Sequence, residues 1–226
     1  MSVTAVTPPT GFVASTLWCG LAQSFHALLA ARIVTGIFAG MALLTTGGFM
    51  LMPFSSAFIV HNVGIPLHSL PTVYFVTGLF TMVVGPLIGK LSDAVGRLPV
   101  LLAGTAITIV MVGVYTHLGT APLAVAIGVN VLMFVGIFSR LIPYQALVAA
   151  VPGPEQRGAF NALTSAIQQL SGGLASVVSG HIVVMGADGR LQHFPVVGYV
   201  VMGSTLAAAA LAWRIQRDLH THGTPA

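Results

Sequence analysis

Two stretches of the chain carry no charged residue, Ile33 to Gly89 and Leu98 to Ser139. Between them lies a compact polar turn, Gly85-Pro86-Leu87-Ile88-Gly89-Lys90-Leu91-Ser92-Asp93-Ala94-Val95-Gly96-Arg97. Long apolar runs joined by short polar turns are the pattern of consecutive membrane-crossing helices, because a bilayer core about 30 Å thick takes about 20 helical residues per crossing. The pattern predicts spans at about 71–90, 98–118, 121–148, 158–186 and 195–215, with Pro, Gly or His in the loops between them.

The N-terminal part is less regular. Gly11 to Val60 is almost continuously apolar, interrupted only by Gln23-Ser24-Phe25-His26 and Arg32. It predicts one span at 41–61 and another ending near Gly40. Residues 11–23 alone would rise only about 20 Å at about 1.5 Å per residue, short of the hydrocarbon thickness. Met1 to Thr10 has no basic stretch and contains Pro8-Pro9, so the first apolar run is expected to stay in the protein and not to be a cleaved signal peptide.

The resulting fold class is all-α, a polytopic transmembrane helical bundle of about seven spans, six to eight. Three segments follow: an N-terminal remnant at 1–40, a six-helix bundle at 41–215 and a polar cytoplasmic tail at 216–226.

Composition turns this pattern into a statement about solvent. Charged residues make up 5% of the chain and hydrophobic residues 56%, against roughly 25% charged in a soluble domain. The mean hydropathy is +0.96. Too few charges exist to cover a water-facing surface, so the main partner is the lipid bilayer. The net charge of +4 does not point to nucleic acid, because the basic residues are scattered one or two per loop. They act better as topology determinants, since cytoplasmic loops retain Lys and Arg. One side of the bundle would hold Lys90, Arg97, Arg157, Arg214 and Arg217; the other holds only Arg190, offset by Asp188. That places the 90–97 loop and the C-terminus in the cytoplasm. The single Cys19 excludes an intrachain disulfide.

Candidate chemistry is sparse. No His-Glu-x-x-His and no Gly-x-Ser-x-Gly occurs, and no two histidines stand at i, i+4 within one span. Four acids, all in or near loops, leave little for acid–base work in the membrane. The chain reads as no enzyme, with no metal site and no cofactor. What stands out is buried charge and polarity. Arg32 and Arg140 lie within apolar runs, where a charge costs about 2.5–3.5 kcal/mol or more unless paired or hydrated. Each either snorkels to an interface or serves a cavity or relay. Arg140 is followed by Pro143, Tyr144 and Gln145, and Asn161, Ser165 and Gln168 line one helix face at i, i+4 and i+7. Such a stripe faces protein or water and not lipid, either as interhelical hydrogen bonds or as a pathway lining.

Asp93 follows a helix end, where that helix's dipole disfavours a carboxylate. It would be stabilised by the N-terminus of the helix opened by Arg157-Gly158, pairing with Arg157 or Arg97 as a latch; otherwise it is a solvated loop charge. Gly36-x-x-x-Gly40 and Gly85-x-x-x-Gly89 have the small-residue spacing of close helix contacts, and Gly172-Gly173 suggests another tightly packed span.

These residues resemble the major facilitator superfamily of secondary transporters. Its cytoplasmic loop signature is Gly-x-Leu-(Ala/Ser)-Asp-x-x-Gly-Arg, matched here by Gly89, Leu91, Ser92, Asp93, Gly96 and Arg97. Ala94 and Leu98 replace usual basic residues, which suits the second, weaker copy of the signature. Leu28-Leu29-Ala30-Ala31-Arg32-Ile33-Val34-Thr35-Gly36 is similar to the fourth-helix motif with its buried arginine. The stretches Arg140 to Leu147 and Arg157 to Gly173 are similar to helices ten and eleven of the drug- and sugar-efflux, arabinose-efflux-permease-like branch.

The resemblance implies half of a major-facilitator-type fold, with 1–40 like the end of helix three and helix four, and 41–215 like helices seven to twelve. Family members have about twelve helices in two halves with the substrate site between them, so the chain is expected to be truncated. The resemblance further implies proton-coupled efflux of a small-molecule substrate by alternating access, as an antiporter in a bacterial inner membrane. Gly89, Leu91, Asp93, Gly96, Arg97 and Arg157 would form the cytoplasmic gate. Arg140, Gln145, Asn161, Gln168 and Arg32 would line the substrate and proton pathway. A homodimer could rebuild a complete transporter; the alternative is a transport-inactive or regulatory membrane fragment.

Overall fold

The structure, a computed structural model, describes residues 25–149, 155 and 157–222; side chains are described for 35, 36, 38–149, 155, 157–214 and 217. Of the expected N-terminal remnant at 1–40, residues 1–24 lie outside the described residues. Among the described residues six helices follow in chain order: α1 Phe25–His61, α2 Leu70–Val95, α3 Arg97–Thr116, α4 Leu123–Ala149, α5 Arg157–Ile182 and α6 Phe194–His222. A 3₁₀ turn at Leu67–Ser69 leads into α2, and two short strands, β1 Val184–Met185 and β2 Leu191–Gln192, precede α6. The described chain is all-α apart from that hairpin, as its hydrophobic pattern predicts.

Three details depart from the expected elements. The spans expected to end near Gly40 and to fill 41–61 are one helix of 37 residues, unbroken at the proposed boundary. Nothing in Ala39-Gly40-Met41-Ala42 interrupts a helix: no proline, no charge, one glycine. The polar turn at 90–97 is also helical up to Val95, leaving Gly96 alone between α2 and α3. Gly96 has φ 104° and ψ 151°, a region almost closed to residues with a Cβ. Its N–H donates to the Ser92 carbonyl at 3.1 Å, closing α2 before the chain reverses. The third departure is the hairpin, where a longer helix to 186 is expected. Asp188-Gly189 makes its turn, with Gly189 at φ 74° and the Gly186 N–H donating to the Arg190 carbonyl at 2.8 Å.

Five of the helices are long and apolar enough to cross a membrane; α5 is as long but more polar. The helices pack in the order α2, α4, α3, α6, α1, α5, each mainly against its neighbours in that series. Glycines decide how close they come. A Cβ on Gly104 of α3 would lie 2.6 Å from Ser139 Cβ of α4, and one on Gly136 would lie 2.9 Å from the Thr108 nitrogen. Gly198 likewise admits Thr116, and Gly172 admits the ring of Phe49. By contrast Gly78, Gly85 and Gly89 of α2 face open space. The expected Gly85-x-x-x-Gly89 contact is therefore not formed within the described chain, because α2 turns its other face to α4.

The core has two layers. Near the hairpin, Phe58 stacks on Phe194 at 4.4 Å between ring centroids and meets Tyr115 at 5.4 Å. Nearer Gly96, Met41, Leu44, Leu101, Tyr144, Val148 and three alanines of α6 form a second cluster. The hairpin side is stitched by polar contacts. Asn62 donates from Nδ2 to the Leu191 carbonyl at 3.0 Å and accepts from the Leu191 N–H at 2.8 Å. The Ala121 N–H donates to the Val63 carbonyl, and Tyr199 pairs with His117 at 3.2 Å.

Candidate functional site: a buried arginine beside a cavity

Arg140 stands in α4 among the buried core residues and is only 2% exposed. Three features make room for it. Gly104 brings α3 against the backbone at Ser139 and Arg140. Gly47 of α1 has no side chain where one would lie 3.2 Å from Arg140 Nη2. On α6, Thr205 presents an acceptor, and Arg140 Nη1 donates to its Oγ1 at 2.8 Å. Thr205 is itself fully buried.

Beside this arginine a cavity of about 270 Å³ opens between α1, α4 and α5. Most of its wall is apolar, including Phe49, Met52, Phe134 and Phe138; Arg140, Gln145, Gln168 and Gln169 supply most of its polar groups. Gln168 is half-buried and donates from Nε2 to Met41 Sδ at 3.0 Å. Pro53 shapes the α1 wall. Lacking an N–H, it leaves the Phe49 carbonyl without its helical donor, and Ser176 Oγ of α5 donates there at 3.3 Å.

The structure brings together Arg140, Gln145 and Gln168 of the expected pathway set. Asn161 and Ser165 are exposed on α5 and lie outside the cavity wall. The Arg32 side chain lies outside the described residues. Of the expected gate set, Gly96 is the hinge between α2 and α3. Gly89 is half-buried beside open space, Leu91 and Asp93 are exposed on the last turns of α2, and Arg97 is half-buried at the start of α3. Arg157 is exposed at the first residue of α5. Among the described residues, no ion pair within 4.0 Å joins Asp93 to Arg97 or Arg157. Ser92, between Leu91 and Asp93, is buried, and its hydroxyl has no hydrogen-bond partner.

Sequence reasoning missed Thr205, Gly47 and the aromatic wall. Thr205 sits in the bland stretch Gly203-Ser204-Thr205-Leu206 with no signal of its own. Gly47-Gly48 within an apolar run was the available hint that a bulky neighbour fills the space.

A bundle of membrane-length helices with a cavity beside a buried arginine is compatible with a membrane transport protein. The family model described as Major Facilitator Superfamily matches residues 40–226, and the chain belongs to that superfamily of membrane transporters. No curated protein and no solved structure matches it.

Proposed function

We propose that this chain is a secondary active transporter that exports small molecules in exchange for protons by alternating access. The observation that carries this reading is the cavity between α1, α4 and α5 with Arg140 buried in its wall. A charge kept within apolar helices costs several kcal/mol unless something hydrates or pairs it, so its retention beside a cavity favours a functional use. In this reading Arg140, Gln145 and Gln168 contact the substrate or the coupling proton. Asn161 on the open face of α5 and Arg32 of α1 extend the pathway.

The gate would be on the Gly96 side. The hairpin side is held by Asn62–Leu191 and Tyr199–His117, which suits the closed end of such a cycle. Asp93 and Arg157 would then pair only in the opposite state, with Gly96 as the hinge and Gly89, Leu91 and Arg97 around it. The location that goes with this reading is a bacterial inner membrane, with the Gly96 side and the C-terminus cytoplasmic. The test is a pH-gradient flux assay on reconstituted proteoliposomes with fluorescent efflux substrates. Gradient-dependent movement supports export by proton exchange; none from a folded sample removes it.

The open face of α2 favours a second copy as partner. Gly78, Gly85 and Gly89 are uncovered there and would admit a facing helix, with the exposed Phe75 and Met82, at 72% and 78%, to pack beside it. The alternative, a transport-inactive or regulatory membrane protein, shares this face. Detergent-corrected mass measurement distinguishes a dimer from a monomer, and a monomer removes the paired-halves reading.

A further inference from the structure

The charge balance of the cavity points to the class of molecule that fills it. Arg140 lines the cavity with 2% of its surface exposed; of its guanidinium's five N–H donors, one on Nη1 is taken by Thr205 of α6, and Nη2 lies beside Gly47. Among the described residues Arg140 has one hydrogen-bond partner, the neutral Thr205, and no carboxylate in ion-pairing reach. None of the chain's four acids is among the residues that line the cavity. Asp93 is on the last turns of α2, Glu155 precedes α5, Asp188 is in the hairpin turn, and Asp218 is near the end of α6. A buried cation with no countercharge is a strongly unfavourable arrangement that an anion relieves.

We propose that the α1/α4/α5 cavity binds a small amphipathic organic anion, with its carboxylate or sulfonate on Arg140 and its apolar body against the aromatic wall. The proposal rests on the transport reading of the same site and narrows its substrate. Size, shape and polarity agree. The volume of about 270 Å³ falls just below the range of about 300–1,000 Å³ for pockets holding drug-sized molecules, which suits a one- or two-ring compound. Phe49, Phe134 and Phe138 offer ring faces and edges to a flat apolar body. Gln145 and Gln168 offer neutral donors beside the charge. A cationic amphiphile finds the opposite: a like charge in the wall and no described acid to hold it. A guanidinium also binds a planar carboxylate through two parallel hydrogen bonds, which an ammonium does not.

The test uses the full chain in phosphatidylcholine nanodiscs and equilibrium binding of radiolabelled 2-naphthoate. The neutral 2-naphthamide and the cationic 2-naphthylmethylammonium, on the same ring, serve as comparators. Naphthoate is expected to bind at least roughly tenfold more tightly than either, as one charge-assisted contact implies. Arg140→Gln is expected to weaken naphthoate roughly ten- to hundredfold while leaving naphthamide nearly unchanged. Arg140→Lys should fall between, keeping the charge and losing the planar fork. Gln168→Glu leaves Arg140 in place and adds a negative charge to the wall, so it should weaken naphthoate selectively even where Arg140→Gln does not fold.

Naphthoate binding no tighter than naphthamide, or tighter binding of the ammonium, overturns the proposal. An acidic lipid headgroup on an acyl body shares the same chemistry. If adding phosphatidylglycerol to the nanodiscs abolishes naphthoate binding, the lipid is the occupant and the assignment to a free anion fails. The two readings fail separately. Naphthoate binding without gradient-driven flux removes export and leaves the anion site; flux of neutral or cationic dyes without naphthoate binding does the reverse.

Discussion

Arg140 Nη1 donates to Thr205 Oγ1 at 2.8 Å, and this hydrogen bond joins α4 to α6 between Val201 of one core layer and Ala208 of the other. It is the only described hydrogen bond of a nearly fully buried guanidinium. Thr205→Val removes the acceptor at almost constant volume and leaves the charge in place. The expected loss of stability is about 1–3 kcal/mol, the cost of an unsatisfied buried polar group, read as a lower midpoint of thermal unfolding in detergent. Arg140→Met should cost less than Thr205→Val, because removing a buried charge also removes its desolvation. Equal stability of Thr205→Val and the parent protein would contradict this account of the bond.

The glycines divide into two groups with opposite expectations. Gly104→Ala and Gly136→Ala place a Cβ within 3 Å of backbone atoms on the facing helix, so α3 and α4 must separate, at about 1–3 kcal/mol each. Within a single copy Gly85→Ala and Gly89→Ala meet nothing and remove a flexible residue from a helix interior, worth about 0.5–1 kcal/mol in favour of the monomer. Parallel thermal unfolding of the four variants checks the division. A stability drop for Gly85→Ala or Gly89→Ala matching that of Gly104→Ala would show that another surface covers α2.

Gly96 carries the reversal between α2 and α3 alone. Gly96→Ala forces a Cβ into a conformation that costs of order 1–3 kcal/mol, although no atom crowds the site more closely than Pro99 Cδ at 3.6 Å. The penalty is therefore conformational and should remain when Pro99 is replaced by alanine in the same chain. Unfolding midpoints of the single and double variants measure this directly.

Asn62→Leu removes both hydrogen bonds that hold the hairpin to α1. Amide exchange of residues 184–192 is expected to accelerate, while the interior of α3, which no described hydrogen bond joins to the hairpin, keeps its protection. Hydrogen–deuterium exchange read by mass spectrometry resolves these segments. Unchanged hairpin exchange would mean that the strand pairing alone suffices.

The proposed gate is tested by Asp93→Asn. If Asp93 pairs with Arg157 or Arg97 during transport, loss of its charge should slow flux roughly tenfold, the equivalent of about 1.4 kcal/mol. Stability should hardly change, since Asp93 is exposed. Flux at the parent rate would remove Asp93 from the gate.

The hydrophobic pattern determined by itself that this is a helical membrane protein and where most of its helices lie. That information is local: apolar runs long enough to cross a bilayer need no knowledge of neighbours. The spacing from Gly89 to Arg97 likewise carried the superfamily, and the isolation of Arg140 in an apolar run marked it before any contact was known. Other features depended on pairs of residues far apart in the chain. Thr205 is 65 positions from Arg140, and Leu191 is 129 from Asn62, so no window of sequence contains either bond. The same holds for the glycines: Gly85 and Gly104 look alike in an apolar helix, and only the facing helix decides which one is crowded. The polar stripe of α5 shows the limit most directly. Asn161, Ser165 and Gln168 share a helical face by periodicity, but the position of α5 against α1 places only Gln168 in the cavity wall and leaves the other two exposed.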